Sequence, residues 1–451
     1  MFGATLHGLL NLALLTAGAH LLTLRLLVGH RRDALTYALA LGLVMTAIAV
    51  LVASALGYAG LLTPWTLTLG AAAVLAAAWQ WARLPDTHLG GDGGPAGLRG
   101  ALGRAPRLWL ELPLRRWPQW QRIALVLLLL PIGLQLIQAL TTPPIDFDAN
   151  GYRLPRIGLW LQDGWIGQQP ASDPRMGYMS INGDLLMLWF TATFEVGYPL
   201  TKLVQWLGGV YLLMVTWAWA RRFGVRREAR LLAVYLWLVM PVFVAQMATA
   251  QIDLLVAALA AGGLYFLHES LRGKARALTA WIGIALAIGT KGTLFYWGPG
   301  LLVMGIGWVW LTRADKHRRW ALTSADRQKL GQQTLAAVIA LAALAAPRYV
   351  ENLFLHSNPF APKEQIAYLH GAQESALDGF SADKLGLNVL TYLTQAFMPD
   401  ENPVGVDAVM APIGKALSST MPREVDPHTI VAVRGRYFDA RLERTIPNDF
   451  G

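Results

Sequence analysis

Ten stretches of this chain, near residues 5–24, 34–56, 61–82, 122–140, 198–220, 230–250, 251–268, 277–290, 294–311 and 333–347, are apolar over most of their length. A bilayer offers no water to an exposed amide, so segments of this kind must satisfy their backbone internally as helices or as a closed barrel. Several reach the roughly 20 residues that cross a hydrocarbon core, while those near 277 and 333 are shorter and leave their ends open. Nothing alternates with period two over the ten-residue stretches of a membrane β-barrel. The expected fold is an all-α polytopic membrane protein of about ten transmembrane helices.

Composition agrees. Hydrophobic residues make up 55% of the 451 positions and charged residues 15%, with a mean hydropathy of +0.40. A soluble globule averages about 25% charged residues. There is no cysteine, which removes disulfides and thiolate metal sites. Met1 to His20 lacks a basic leading region and a small-residue cleavage site, and reads as a retained first span.

The net charge of +10 would suit a nucleic-acid partner, but its distribution excludes one. Five connectors, 25–33, 83–122, 221–230, 272–276 and 313–329, hold 24 of the 38 Lys and Arg. The positive-inside rule makes these cytoplasmic. Segment 143–184 carries five Asp against three Arg, and 351–451 carries 13 acids against eight bases. Those segments, and both chain ends, are expected outside the cytoplasmic (inner) membrane. Residues 181–195 resemble a span, yet a crossing there would turn the 221–230 loop outward. At about 15 residues with Asp184 inside, they are expected as a juxtamembrane or re-entrant helix.

Four regions follow: a three-helix membrane segment, 1–84; a cytoplasmic Gly/Pro/Arg-rich linker, 85–121; a transmembrane core, 122–350, with a large outer loop, 143–197; and an outer C-terminal segment, 351–451. The last ends without a final span, which leaves a truncated sequence open.

Chemistry concentrates in the outer connectors. Asp146 and Asp148 follow the helix-ending Pro143-Pro144. In an extended segment both would point to one side, where they could bind a divalent cation such as Mg or Mn. One could instead act as a general base, and two solvated loop acids are the plain alternative. Arg153 and Arg156 share a face on a short helix. They could neutralise the acids or grip a phosphate. Trp160, Trp165 and Trp189 read first as interfacial anchors. Asp253 opens an apolar helix, where it is either functional or a first-turn acid favoured by the helix dipole. Lys291, between Thr290 and Gly292, and Arg348 complete the cations; a snorkelling lysine is the alternative for Lys291.

The order of these pieces resembles a family. Asp148 is followed by Tyr152-Arg153-Leu154-Pro155-Arg156 and Trp160-Leu161-Gln162, then an Asp/Pro-rich stretch, Gln251-Ile252-Asp253 and Thr290-Lys291-Gly292. Over roughly residues 122–360 this is similar to the GT-C superfamily of polyprenyl-phosphate-sugar-dependent glycosyltransferases, in particular bacterial relatives of protein O-mannosyltransferases and lipid A aminoarabinose transferases. The resemblance implies a GT-C-like fold with juxtamembrane helices in the first outer loop. It makes Asp148 the catalytic carboxylate with Asp146 as its neighbour. It further implies substrate-binding roles for Tyr152, Arg153, Arg156, Asp184, Asp253, Lys291 and Arg348. The donor would be a polyprenyl-phosphate-linked sugar and the acceptor a lipid, glycan or protein. Where this chain has Arg153 and Asp184 the family pattern has His and Glu, the three spans before residue 85 are additional, and the family's later spans are missing. Two other classes compete: a lipid or glycan transporter or flippase, which would place charges midway along repeated helices, and a non-catalytic subunit of envelope assembly.

Overall fold

The computed structural model describes residues 2–27, 34–83, 117–168, 173–194, 197–295, 300 and 324–362. Most of the linker 85–121, the 294–311 span beyond Phe295 apart from Gly300, and the C-terminal segment after Pro362 lie outside the described residues. Among the described residues the regular structure is helical. The long elements are α1 Phe2–Leu26, α2 Ala34–Tyr58, α3 Pro64–Arg83, α4 Gln119–Thr141, α5 Leu154–Asp163, α6 Asn182–Thr193, α7 Leu203–Arg222, α8 Arg227–Leu238, α9 Asp253–Leu271, α10 Ala277–Thr290, α11 Ser324–Leu344 and α12 Ala346–His356. The chain divides into two units, Met1–Tyr235 with Gln246–Ala361, and Leu236–Ala245 with Pro362–Gly451. Described residues of the second unit are the end of α8 and most of the short helix Pro241–Gln246. Apart from the break in the 230–250 run, everything below concerns the first.

Among the described residues five helices are long and apolar enough to cross a membrane, or six if a bent pair counts as one span. The chain is thus built from the apolar helices of a membrane-embedded protein, and the described residues do not reach the expected ten. Two departures have local causes. The 230–250 run breaks between Leu238 and Pro241, because proline has no N–H to give and disfavours helix in the residue before it. The helix expected at 333–347 bends by 63° at Ala345, with Pro347 in the first turn of α12. Residues Pro64–Arg83 form a 20-residue helix that is less apolar than the five, and Ala277–Thr290 is only 14 residues long.

Close backbone approach holds the bundle together. A Cβ on Gly283 would lie 2.7 Å from the Gly263 Cα, and one on Gly208 would lie 2.8 Å from the Leu255 Cα. Small residues at such crossings let helices meet without a solvent-driven hydrophobic term, which lipid does not supply. Buried polar bonds add register: Thr36 to Tyr265 at 2.9 Å, and the Trp189 indole N–H donating to the Ala49 carbonyl at 3.0 Å. Trp160 and Trp189 are therefore core residues and not surface anchors, while Trp165 is exposed.

The two ends of the bundle differ in charge. At one end Arg25 donates to the Ala82 carbonyl, Arg222 pairs with Glu269 at 2.8 Å, Gln121 bonds Glu228, and Arg276 N–H reaches the Leu26 carbonyl. This end gathers the basic termini of α1, α3, α7, α9 and α10. The opposite end holds the C-termini of α2, α4 and α10, the N-termini of α3, α7 and α9, and the connector that follows α4.

Candidate functional site

Segment 143–194 lays short helices over that second end. Asn150 N–H bonds the Asp146 carbonyl at 3.0 Å, so the chain winds into a helical turn at once, with Asp148 at φ −67° and ψ −36°. A π-helical turn, Ala149–Arg153, leads into α5. Helix α5 buries Leu154, Ile157 and Trp160 and ends on Gly164, whose φ of 69° lets the chain reverse. The reversal docks on the α2–α3 turn: Leu62 N–H to the Gly164 carbonyl at 2.9 Å and Ile166 N–H to that of Gly57 at 3.2 Å.

The helical winding overturns one expectation. Asp146 and Asp148 were expected on one side of an extended strand; two residues apart on a helical turn they face different ways. The Asp146 carboxylate accepts the Ala250 N–H at 2.8 Å, whereas Asp148 pairs with Arg175 at 3.3 Å. Two acids spent on different partners do not form the oxygen-rich cage that Mg or Mn requires. Among the described residues no three His, Asp or Glu converge on one point.

Arg153 and Arg156 do share a face, but they turn inward to Asp184 instead of toward Asp146 and Asp148. Asp184, in the first turn of α6, has a completely buried carboxylate. Arg153 Nη1 donates to its Oδ1 at 2.9 Å and Arg156 Nη2 to its Oδ2. Arg156 also donates to the carbonyls of Met176, Met179 and Ser180 at 3.1–3.2 Å, and Arg153 to the Tyr152 hydroxyl at 2.7 Å. Burial, together with Arg348 and Arg153, pulls the Arg156 guanidinium well below its usual value. Asp184 is accordingly the counter-ion on which the cluster depends. These residues, expected to bind substrate, hold the loop to the bundle.

Arg348 also has its partners within the protein. It is buried, and donates to the carbonyls of Gly177 at 2.9 Å and Ile166 at 2.8 Å while pairing with Glu351 at 2.8 Å. Glu351 in turn accepts the Gln168 N–H and the Tyr58 hydroxyl. Tyr152 is buried too, and burial raises its phenol above the ordinary value.

Among the described residues, two ion pairs at this end include a carboxylate about a third exposed. Lys291 donates to Asp253, and their side chains remain 38% and 36% exposed. Asp148 is 36% exposed beside Arg175 at 25%. The pairs sit at the same end of the bundle, linked through the buried cluster. The Arg175 guanidinium lies 4.7 Å from the Tyr152 ring centroid, and Tyr152 bonds Arg153 and thereby Asp184. A Cβ on the adjacent Gly183 would sit 2.6 Å from Ile252, next to Asp253.

Sequence reasoning missed Asp173, Arg175 and Lys202. Asp173 holds Arg175 by a bidentate contact, 2.7 Å at its shortest, and that hydrogen bond keeps the Asp173 carboxyl below the usual carboxylate range. The Asp173-Pro174-Arg175 run carried the signal inside a stretch noted only as rich in Asp and Pro. Lys202 is buried at the start of α7, where it donates to the Gln138 carbonyl at 3.1 Å and the Thr142 hydroxyl. It was read as part of an apolar span.

No protein-family model matches this chain, and comparison with curated proteins and with solved structures returns no match.

Proposed function

We propose that this protein is a membrane glycosyltransferase that moves a sugar from a polyprenyl-phosphate donor to an acceptor at the outer face of the cytoplasmic membrane, with Asp148 as general base. What carries the reading is that two carboxylates with exposed surface each pair with a cation, Asp148 with Arg175 and Asp253 with Lys291, at the end of the bundle away from its basic terminus. The positive-inside rule then puts the basic end in the cytoplasm and the paired acids outside, within about ten spans when the chain is taken whole.

The reaction asks for a base near cations that can receive a phosphate. A lipid-linked donor keeps its tail in the bilayer and its phosphate at the interface. Lys291 and Arg175, both with exposed surface at this end of the bundle, neutralise that phosphate. The acceptor hydroxyl oxygen forms a bond to the anomeric carbon as the bond from that carbon to the phosphate oxygen breaks. Polyprenyl phosphate leaves with the electron pair and Asp148 takes the hydroxyl proton. A single displacement inverts the anomeric centre, since one base and no nucleophilic carboxylate are used. No metal ion enters the scheme, because Asp146 and Asp148 do not converge. The test is transfer of sugar from a polyprenyl-phosphate donor by protein in nanodiscs, with acceptors screened. A full rate in a folded Asp148→Asn variant overturns the mechanism and favours a non-catalytic assembly subunit.

A further inference from the structure

A second feature lies inside the bundle and does not rest on the transferase reading. Helices α1, α2, α6, α7 and α9 enclose a cavity of about 340 Å³, lined among others by Leu15, Met45, Trp189, Phe190 and Met214. That volume is in the range of small-molecule sites. The lining is almost wholly apolar, and its few polar groups are nearly all satisfied within the protein. Thr46 donates to the Gly42 carbonyl, Thr193 to that of Trp189, and Tyr211 to that of Leu39.

Asn11 is the exception. It lines the cavity and is 1% exposed. Its Nδ2 donates to the His7 carbonyl at 3.2 Å, and its Oδ1 has no partner among the described residues. A buried acceptor left without a donor is costly, and native structures hold few of them. Leu207, also on the cavity wall, is 51% exposed, so that wall borders the outer surface of the bundle.

We infer that this cavity is a binding site for an uncharged aliphatic molecule bearing one hydrogen-bond donor, of the fatty-alcohol class, whose O–H is accepted by Asn11 Oδ1. A charged head would find no counter-ion among the lining residues, and burying one unpaired is prohibitive. A plain hydrocarbon would fill the space and leave Oδ1 orphaned.

The experiment uses the full chain in phosphatidylcholine nanodiscs with two photoprobes, a twelve-carbon alcohol and a twelve-carbon hydrocarbon, each with a mid-chain diazirine, and maps adducts by peptide mass spectrometry. The alcohol probe should give saturable adducts around Trp189 and Met214, and 1-dodecanol should compete roughly three- to tenfold better than dodecane, as expected of one neutral hydrogen bond. Asn11→Leu should abolish that preference and leave hydrocarbon labelling unchanged. Ala258→Phe, which fills the cavity, should remove saturable labelling of both probes, with thermal unfolding reporting that it folds. Equal competition by the two unlabelled molecules in the wild-type protein overturns the proposal without any variant. So does labelling that never saturates and spreads over lipid-facing positions of α4 such as Leu127 and Leu130, the result also expected of a cavity holding only water.

Discussion

Arg156 and Asp184, 28 positions apart, form an ion pair with almost no water on either side chain, and Arg153 completes the cluster from the other carboxylate oxygen. Removing one partner of such a pair strands charge, which typically costs about 3–5 kcal/mol. Asp184→Asn should therefore lower the unfolding temperature sharply and reduce expression. Arg153→Met, which leaves one arginine for one aspartate, should cost clearly less. Thermal denaturation of the two variants in the same detergent checks the order.

Asp148→Asn keeps the side-chain shape and removes basicity. General-base catalysis typically contributes about 10²–10⁴-fold, so turnover should fall by about that range while donor binding survives. Asp146→Asn should cost less, because an amide oxygen can still accept the Ala250 N–H. Neither loss should respond to added divalent cation, since the two acids serve different partners. Rates measured with and without Mg in both variants check this.

Lys291→Ala should weaken donor binding roughly tenfold, the value of one charge-assisted phosphate contact. Both members of the Lys291–Asp253 pair are more than a third exposed, so stability should change by no more than about 1 kcal/mol. A donor titration beside a thermal melt separates the two effects; unchanged affinity would reduce Lys291 to an anchor.

The hydrogen bond from Arg175 lowers the Asp173 carboxyl. A carboxylate depressed in the folded state stabilises it above the unfolded pKa and loses that contribution as pH falls through the folded one. The difference in melting temperature between wild type and Asp173→Asn should then stay constant from about pH 8 to pH 5 and vanish in stronger acid. A melt series across that range checks it.

Asn150 and Arg272 are exposed near opposite ends of the bundle, and the chain has no native thiol. Asn150→Cys should react with an impermeant maleimide in intact cells and Arg272→Cys only after permeabilisation. The reverse pattern would invert the proposed orientation.

The apolar runs by themselves determined the helices. Seven of the ten, from 5–24 through 277–290 apart from the broken 230–250 run, match single long helices in position, because hydrocarbon or core burial of an apolar segment demands an internally bonded backbone. The short helix at Asn182–Thr193 was legible too, from length and one acid. Asp148, Asp253 and Lys291 were legible as isolated charges at helix ends. Only the tertiary structure decided their partners. Arg348 reaches the Ile166 carbonyl across 182 positions, Glu351 the Gln168 amide across 183, and Lys291 reaches Asp253 across 38. A charge in sequence reads the same whether it faces a phosphate or a buried carboxylate. The choice follows from which low-dielectric pocket closes around it, and that pocket exists only when distant helices pack.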